Sequence, residues 1–136
     1  MTSEVLYSVG DRVATITLNR PEKLNAWTPR MQVQLKEAIL RAADESEVRV
    51  VVVTGAGRGF CAGADIGDLG QPALMQRDYF SDMPHAEARR GDFEQPLSYP
   101  LGVPKPIIAG INGAVGGVGL CFALFSTSGS LRPTLR

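Results

Sequence analysis

The stretch V-V-V-V-T-G-A-G-R-G-F-C-A-G-A-D-I, from Val50 to Ile66, decides the fold of this chain. Its four consecutive valines favour a β-strand that is covered on both faces. Glycines at positions 55, 57, 59 and 63 follow, and because glycine has no Cβ atom, they let the backbone approach a ligand closely. The stretch therefore predicts a buried strand that leads into a glycine-rich loop.

Three functions are open for this loop. It aims a backbone N–H at a developing negative charge, it binds the phosphates of a nucleotide, or it is a plain structural turn. Residues 54–60, T-G-A-G-R-G-F, nearly match the dinucleotide loop of short-chain dehydrogenases, but Cys61 stands where that loop has its final glycine. Neither Tyr79 nor Tyr99 begins the Tyr-x-x-x-Lys pattern that hydride chemistry needs there. The dehydrogenase is therefore the remote alternative.

The composition indicates one compact domain, or part of a larger one. The chain has 136 residues, is 44% hydrophobic, and carries 14 basic and 14 acidic side chains, so its charge gives no sign of nucleic acid or an anionic membrane as a partner. Cys61 and Cys121 show no C-x-x-C spacing, which argues against a disulfide framework and a metal site. No segment approaches the roughly 20 apolar residues of a membrane span, and no signal peptide is evident. We expect a soluble, cytoplasmic protein.

The first elements follow from local signals. Alternating residues on both sides of Gly10-Asp11 predict a β-hairpin from Val5 to Leu18, with that dipeptide as its turn. Thr28 can cap a helix whose first turn contains Pro29, and apolar residues at helical spacing continue this amphipathic helix to about Asp44. With the valine strand, the order is β-β-α-β.

A second strand, loop and helix follow later in the chain. Ile107 to Ile111 predicts a short strand, a loop containing A-V-G-G-V-G-L comes next, and a buried helix is expected from about Gly117 to Phe125. Prolines interrupt residues 67–99, which we interpret as a partly helical lid or pocket wall. Residues 126–136 show no periodicity and predict an irregular, disordered tail.

The two glycine-rich turns share a geometry. Each leaves a short apolar strand and leads toward a helix, so two backbone N–H groups can converge on one point. This is the geometry of an oxyanion hole, which stabilises an enolate or a tetrahedral oxyanion. Main-chain donors also explain why these loops contain glycine and alanine.

Three segments together resemble the crotonase superfamily, the enoyl-CoA hydratase/isomerase family. They are I-T-L-N-R-P-E-K-L-N-A-W at 16–27, V-R-V-V-V-V-T-G-A-G-R-G-F-C-A-G-A-D-I at 48–66, and K-P-I-I-A-G-I-N-G-A-V-G-G-V-G-L at 105–120. The resemblance covers Val5 to about Leu124. It implies an α/β fold, a crotonase-like ββα spiral of which residues 1–125 form the N-terminal part and the C-terminal half is missing.

The resemblance also implies the ligand and the site. The ligand is a coenzyme A thioester bound as substrate, with no permanently bound cofactor and no metal. The family's two oxyanion donors fall on the N–H groups of Ala64 and Val118. The resemblance places seven further residues against the substrate: Lys23, Leu24, Ala26, Ala62, Asp65, Ile66 and Gly117. The nearest candidates for the coenzyme's phosphates are Arg20, Lys23 and Arg58. From the residues alone, Asp65 is equally well the N-cap of the following segment.

The chain departs from the family pattern where acid and base are needed. A hydratase of this family uses two glutamates, and the first position falls on Cys121. Residues 126–136 contain no Asp or Glu, and we interpret them as non-family sequence. We therefore expect a truncated product that is weakly active or inactive. Full-length members of the family are expected to form homotrimers or hexamers. This chain alone is not expected to do so.

The alternative to an enzyme is a non-catalytic acyl-CoA-binding or interaction fragment. Several single residues carry plainer predictions. We expect Trp27 and Tyr99 to pack in the interior, both cysteines to be buried and inert, and His85 to lie at the surface.

Overall fold

A computed structural model of the chain describes residues 3–69, 97, 99–126 and 128–131. Its strands and helices, in chain order, are β1 (Val5–Gly10), β2 (Val13–Leu18), α1 (Pro29–Asp44), β3 (Val50–Gly55), β4 (Gly59–Cys61), α2 (Ile66–Leu69), β5 (Ile107–Ile111), β6 (Ala114–Val115), α3 (Gly117–Leu124) and β7 (Ser128–Leu131). Short 3-10 helices cover Pro21–Lys23 and Tyr99–Gly102. The predicted α/β class is confirmed.

The strands form two sheets. The larger sheet has the order β1-β2-β3-β5-β7, and the smaller one pairs β4 with β6. Strands β1 and β2 are antiparallel, whereas the other pairs are parallel. The predicted hairpin is therefore confirmed, but its turn is one residue later than expected. Gly10 pairs with Val13, and Asp11 and Arg12 form the turn with φ values of 50° and 66°. Left-handed conformations at both central residues suit the twist of a tight hairpin.

Helix α1 agrees with its prediction at both ends. The Thr28 hydroxyl accepts a hydrogen bond of 3.0 Å from the Met31 N–H, and Pro29 occupies the first turn, where its missing N–H costs nothing. The buried face of the helix recurs at three- and four-residue intervals and includes Met31, Leu35, Ile39 and Ala42, all without solvent exposure. This face closes the core over the sheet.

The centre of the larger sheet alternates between a buried and a half-buried face. In β3, Val51 and Val53 are fully buried, whereas Val50 and Val52 are half-buried. The prediction of a strand covered on both faces is therefore right for one face and only partly right for the other. The sheet is covered by α1 on its buried side, and β3 holds the central position between β2 and β5.

The second strand and helix also form where expected, with one correction. Helix α3 buries Phe122 and Ala123, but Leu120, Cys121 and Leu124 are exposed. The expectation of a buried helix is therefore wrong for one side. No sequence pattern predicted this exposure, because α3 is apolar on all sides and its periodicity marks no solvent face.

The expected irregular tail is partly wrong. Residues Ser128–Leu131 form β7, which pairs in parallel with β5 from Ile108 to Ile111. A strand of four residues held by backbone hydrogen bonds to a neighbour needs no side-chain periodicity, which is why the pattern did not reveal it. Residues 127 and 132–136 lie outside the described part of the chain. So do 70–96 and 98, and with them the predicted lid and the prediction for His85.

Within the ranges that the structure describes, no helix combines the length and apolar character needed to cross a membrane.

Candidate functional site

The two glycine-rich loops meet at Gly63 and Gly117. Both glycines have positive φ angles, 120° and 51°, in the region that side-chain-bearing residues disfavour. A Cβ atom on Gly117 would lie 3.4 Å from the Cα atom of Gly63, and one on Gly63 would lie 3.6 Å from the carbonyl oxygen of Gly116. The two loops are therefore in contact, with backbone packed directly on backbone, and convergence of their N–H groups on one point stays a prediction.

The smaller sheet fixes this contact. Strands β4 and β6 pair in parallel, with Cys61 opposite Val115, and the Gly116 N–H donates to the carbonyl oxygen of Cys61 at 3.0 Å. These bonds come immediately before the glycines of both loops. The relative position of the loops is thus set by β-pairing, although its register shifts between Gly59 and Cys61.

The N–H of Ala64 points away from Trp27, the residue to which its neighbours Gly63 and Asp65 are hydrogen-bonded. An isolated parallel bridge joins Ala64 to Trp27: the Trp27 N–H donates to Gly63 at 2.8 Å, and the Asp65 N–H donates to Trp27 at 3.0 Å. In a parallel bridge of this kind, the central residue directs its own N–H to the opposite side. Among the described residues the Ala64 N–H has no hydrogen-bond partner, and the residue is exposed.

Val118 offers a second N–H from the start of a helix. It is the second residue of α3, after the N-cap Gly116, and the first N–H groups of a helix have no partner within the helix. The bonds from this turn begin with the Gly119 N–H, which donates to Gly116 at 3.0 Å. The Val118 N–H is without a partner in the described ranges and lies at the positive end of the α3 dipole.

Two asparagines hold the loop between β3 and β4. The Asn25 side chain donates to the carbonyl oxygens of Ala56 and Gly59 at 2.9 and 2.8 Å, and it accepts from the Arg20 N–H at 2.7 Å. Asn112 also donates to the Gly59 carbonyl, at 3.2 Å. Asn25 has no solvent exposure, so its amide satisfies polar groups that water does not reach.

Neither asparagine has a role that was predicted from the sequence. Asn112 additionally accepts from the Gly55 N–H at 3.1 Å and donates to Gly57 at 3.1 Å, so its amide satisfies both ends of the loop. The available signal was Asn112 directly after one predicted strand and Asn25 in the polar loop that follows another. Asparagine is the side chain that mimics a backbone amide, and it also tolerates the φ of 55° that Asn25 adopts.

The structure brings the predicted substrate-binding residues together along two adjoining segments. Residues 23–27 run beside 62–65, joined by the Ala62 N–H, which donates to Leu24 at 3.1 Å, and by the Trp27 bridge. The predicted set is completed by Gly117 at the contact with Gly63. Of the predicted residues, Lys23, Ala62 and Ile66 are exposed, whereas Leu24, Ala26 and Asp65 are partly buried.

Asp65 caps the segment after it and also forms an ion pair. Its Oδ1 atom accepts from the Gly67 N–H at 2.9 Å, and its Oδ2 atom accepts from Arg20 Nη2 at 2.8 Å. The Arg20 hydrogen bond, followed by the Gly67 N–H, lowers the pKa of the Asp65 carboxyl. The N-cap interpretation is thus confirmed. Arg20 is directed into the protein at this pair, whereas Lys23 and Arg58 are exposed.

The two cysteines differ in environment. Cys61 is fully buried, and burial raises the pKa of its thiol despite a hydrogen bond from the Gly63 N–H. Cys121 is exposed on α3, so the expectation that both are buried is wrong for Cys121.

Trp27 and Tyr99 are buried as predicted. The Trp27 ring lies 5.9 Å from that of Phe122, which ties the segment 23–27 to α3. No cluster of three metal-ligating side chains occurs in the described ranges.

The dinucleotide interpretation of the loop is wrong. The loop after β3 leads into β4, which begins at Gly59, and a dinucleotide loop instead leads into a helix whose N-terminus receives the pyrophosphate. In addition, β3 is the third strand of the chain and lies at the centre of its sheet.

The fold and the paired loops define a crotonase-type α/β protein, and comparison with known proteins agrees. Residues 9–127 match the family model for enoyl-CoA hydratase/isomerase. This chain therefore belongs to the enoyl-CoA hydratase/isomerase family. A 1,2-epoxyphenylacetyl-CoA isomerase from Escherichia coli is 37% identical over 125 residues, which cover 91% of this chain and 45% of that protein. A probable enoyl-CoA hydratase from Mycobacterium tuberculosis is 41% identical over 127 residues, covering 88% and 43%.

Solved structures show the same fold. An enoyl-CoA hydratase from Mycobacterium marinum superposes with a TM-score of 0.75 at 34% identity, covering 96% of this chain and 58% of the other. A putative enoyl-CoA hydratase/isomerase (crotonase) from Legionella pneumophila gives a TM-score of 0.78 at 26% identity, covering 96% and 48%. This chain spans about half the length of the relatives that it matches.

Proposed function

We propose that this chain binds a coenzyme A thioester and places the thioester carbonyl oxygen between the N–H groups of Ala64 and Val118. The observation that carries the proposal is the backbone contact between Gly63 and Gly117. It brings together two loops, each of which has an N–H group without a partner among the described residues. Two relatives support a coenzyme A thioester as the ligand class, because one is named as a 1,2-epoxyphenylacetyl-CoA isomerase and the other as a probable enoyl-CoA hydratase.

Two N–H groups at a thioester carbonyl would change its reactivity. They withdraw electron density from the carbonyl, which acidifies the α-carbon and activates a conjugated double bond. They also stabilise the enolate that forms, and removing one such donor costs about 3 kcal/mol in well-studied enzymes. The α3 dipole adds to this stabilisation at Val118. The reaction type that follows is enolate chemistry of the enoyl-CoA hydratase/isomerase kind.

The coenzyme would lie along the two adjoining segments. Lys23, Leu24 and Ala26 line one side of this track, and Ala62, Asp65 and Ile66 line the other. Lys23 and Arg58 are exposed cations, which suits contact with phosphate groups. The ligand would be substrate and not a resident cofactor, and the chemistry proposed for the two donors needs no metal. Trimers or hexamers remain a prediction for full-length members.

A second candidate function is binding of acyl-CoA without turnover. Two observations favour it. Cys121 occupies the position where the resemblance places the first catalytic glutamate, and a thiol is no substitute for a carboxylate base there. The carboxylate next to Ala64, that of Asp65, is held by Arg20 and Gly67. Hydration of crotonyl-CoA by the purified chain would decide for the enzyme, and binding without hydration would decide for the binding protein.

The proposal is tested by calorimetric titration of the purified chain with crotonyl-CoA and with free coenzyme A. The variant Val118→Pro removes one donor at a first-turn helix position that tolerates proline, and Val118→Ala keeps the donor. We expect Val118→Pro to weaken crotonyl-CoA binding about three- to tenfold, the equivalent of one hydrogen bond, with free coenzyme A unaffected. Equal affinities of the two variants for crotonyl-CoA would contradict the carbonyl site.

A further inference from the structure

The guanidinium of Arg20 joins two segments of the candidate site. Its Nη1 atom donates to the carbonyl oxygen of Ala26 at 2.7 Å, and its Nη2 atom donates to Asp65 Oδ2 at 2.8 Å. Its Nε atom lies 3.9 Å from Glu4 Oε1. The side chains of Arg20 and Asp65 are only 16% and 18% exposed. The pair is therefore shielded from solvent, unlike most surface ion pairs.

Arg20 and Asp65 are each fixed to the rest of the fold by further hydrogen bonds. The backbone N–H of Arg20 is held by buried Asn25, and Glu4 also accepts a hydrogen bond from Thr28, the residue that caps α1. At the other end, both carboxylate oxygens of Asp65 are used, one by Arg20 and one by the Gly67 N–H. Arg20 thus connects the segment that follows Ala64 to the first helix.

This connection fixes the direction of the Ala64 N–H. Ala64 has bridge hydrogen bonds on both sides, from Trp27 to Gly63 and from Asp65 to Trp27. Arg20 reinforces the same two segments at Ala26, the residue before Trp27, and at Asp65, the residue after Ala64. A peptide plane held on both sides cannot rotate, and a donor must be held in place before reaction to stabilise a developing charge.

Arginine suits this arrangement because two different nitrogens of one rigid plane reach the two acceptors. The planar guanidinium presents several N–H donors in a fixed fork, whereas the ammonium of lysine is a single point charge. A lysine ammonium can also donate to two acceptors, as Lys105 does to the carbonyl oxygens of Ala42 and Glu45, but both bonds then leave one rotatable nitrogen and fix no plane.

We propose that Arg20 is a positioning residue that orients the Ala64 N–H through Asp65 and Ala26, and that it does not contact the coenzyme. This role rests on the proposed function of Ala64. It replaces the sequence-based expectation that Arg20 binds a phosphate. The role differs from general support of the fold, because the affected groups are the bridge amides of Trp27 and Asp65 and the carbonyl of the bound thioester.

Two variants separate this role from loss of charge or of folding. Arg20→Lys keeps the charge and removes the fork. Asp65→Asn removes the ion pair, while the Asn side-chain oxygen can still cap the Gly67 N–H. The matched control is Arg41→Lys, since Arg41 donates to Glu45 at 2.7 Å on α1, away from the two loops.

Two measurements are made on each variant of this chain. Without ligand, amide hydrogen exchange is followed by NMR at Trp27 and Asp65. With ligand, the absorption band of bound cinnamoyl-CoA is recorded, because polarisation of its carbonyl moves the band to longer wavelength. We expect Arg20→Lys and Asp65→Asn to speed exchange at the two bridge amides by about tenfold or more, with exchange in the middle of α1 unchanged. We also expect both variants to lose most of the band shift, and we expect Arg20→Lys to retain its affinity for free coenzyme A.

Each other outcome counts against the proposal. Unchanged exchange in Arg20→Lys would overturn the positioning role even when the wild type shifts the band. Faster exchange with a full band shift would show that the loop is held by Arg20 but that Ala64 does not depend on it, which also overturns the role. A large loss of affinity for free coenzyme A in Arg20→Lys would identify Arg20 as a phosphate ligand. No shift in the wild type would defeat the proposed function itself, and the role with it.

Discussion

Gly63 and Gly117 touch through their backbones: a Cβ atom on Gly117 would lie 3.4 Å from the Cα atom of Gly63. The two residues belong to loops that follow different strands, and each has the positive φ that lets its loop turn at the contact. Ala64 and Val118 come immediately after these glycines in the chain. The contact therefore determines the relation between the two N–H groups on which the proposed chemistry depends.

The side chain of Asn25 should contribute more to the stability of the fold than that of Asn19. We predict that Asn25→Ala lowers the free energy of unfolding by about 2–3 kcal/mol, because it leaves the partly buried carbonyl of Ala56 and the buried carbonyl of Gly59 with fewer partners. Asn19→Ala is the control, since the Asn19 side chain makes a single 3.2 Å bond to Ser3 in a partly buried position. Chemical denaturation measures both variants, and an equal loss at the two positions would refute the prediction.

Acid should weaken the Arg20–Asp65 pair. The pKa of Asp65 is lowered in the folded chain, mainly by its hydrogen bond from Arg20, so the pair contributes stability above the carboxyl's unfolded pKa of about 4. That contribution is lost as the pH falls from there through the lower folded pKa. We expect Asp65→Asn to be less stable than the wild type at neutral pH, and the two to approach each other in this acid window. Denaturation midpoints measured across the window test this, and a constant difference would count against it.

One of the two cysteines should react with a thiol reagent in the folded chain. Cys121 is exposed on α3, whereas Cys61 is buried and burial raises the pKa of its thiol. Because the thiolate is the reactive form, we expect native protein to incorporate one equivalent of iodoacetamide at Cys121, and unfolded protein to incorporate two. Mass spectrometry of the labelled peptides locates the modification. Prompt labelling of Cys61 in native protein would contradict the prediction.

Local patterns predicted the parts of the fold that depend on neighbouring residues. The strand around Val51, the cap at Thr28 and the glycine-rich turns follow from periodicity, capping and the special conformations of glycine. The contact of Arg20 with Asp65 spans 45 residues and depends on how two loops lie in space, so no local pattern indicates it. The same reason applies to β7, which is a strand because β5 offers it backbone partners.

The solvent exposure of side chains was also difficult to predict in a helix that is apolar on all sides. Leu124 and Cys121 on α3 have apolar neighbours in sequence, yet both are exposed. Periodicity marks a buried face only when polar residues mark the opposite one. For the candidate site, the donor positions could be placed from the family resemblance, whereas the asparagines and the arginine that hold them required the structure.

The most direct test of the central claim is the infrared carbonyl stretch of bound crotonyl-CoA that is isotope-labelled at its carbonyl carbon. Hydrogen bonds from Ala64 and Val118 would weaken the carbonyl bond and lower its frequency relative to the free thioester. We predict a lowered frequency in the wild type and in Val118→Ala, and a return toward the free value in Val118→Pro and Ala64→Pro. A bound thioester with an unshifted carbonyl in the wild type, or one that stays fully shifted in both proline variants, would contradict the claim.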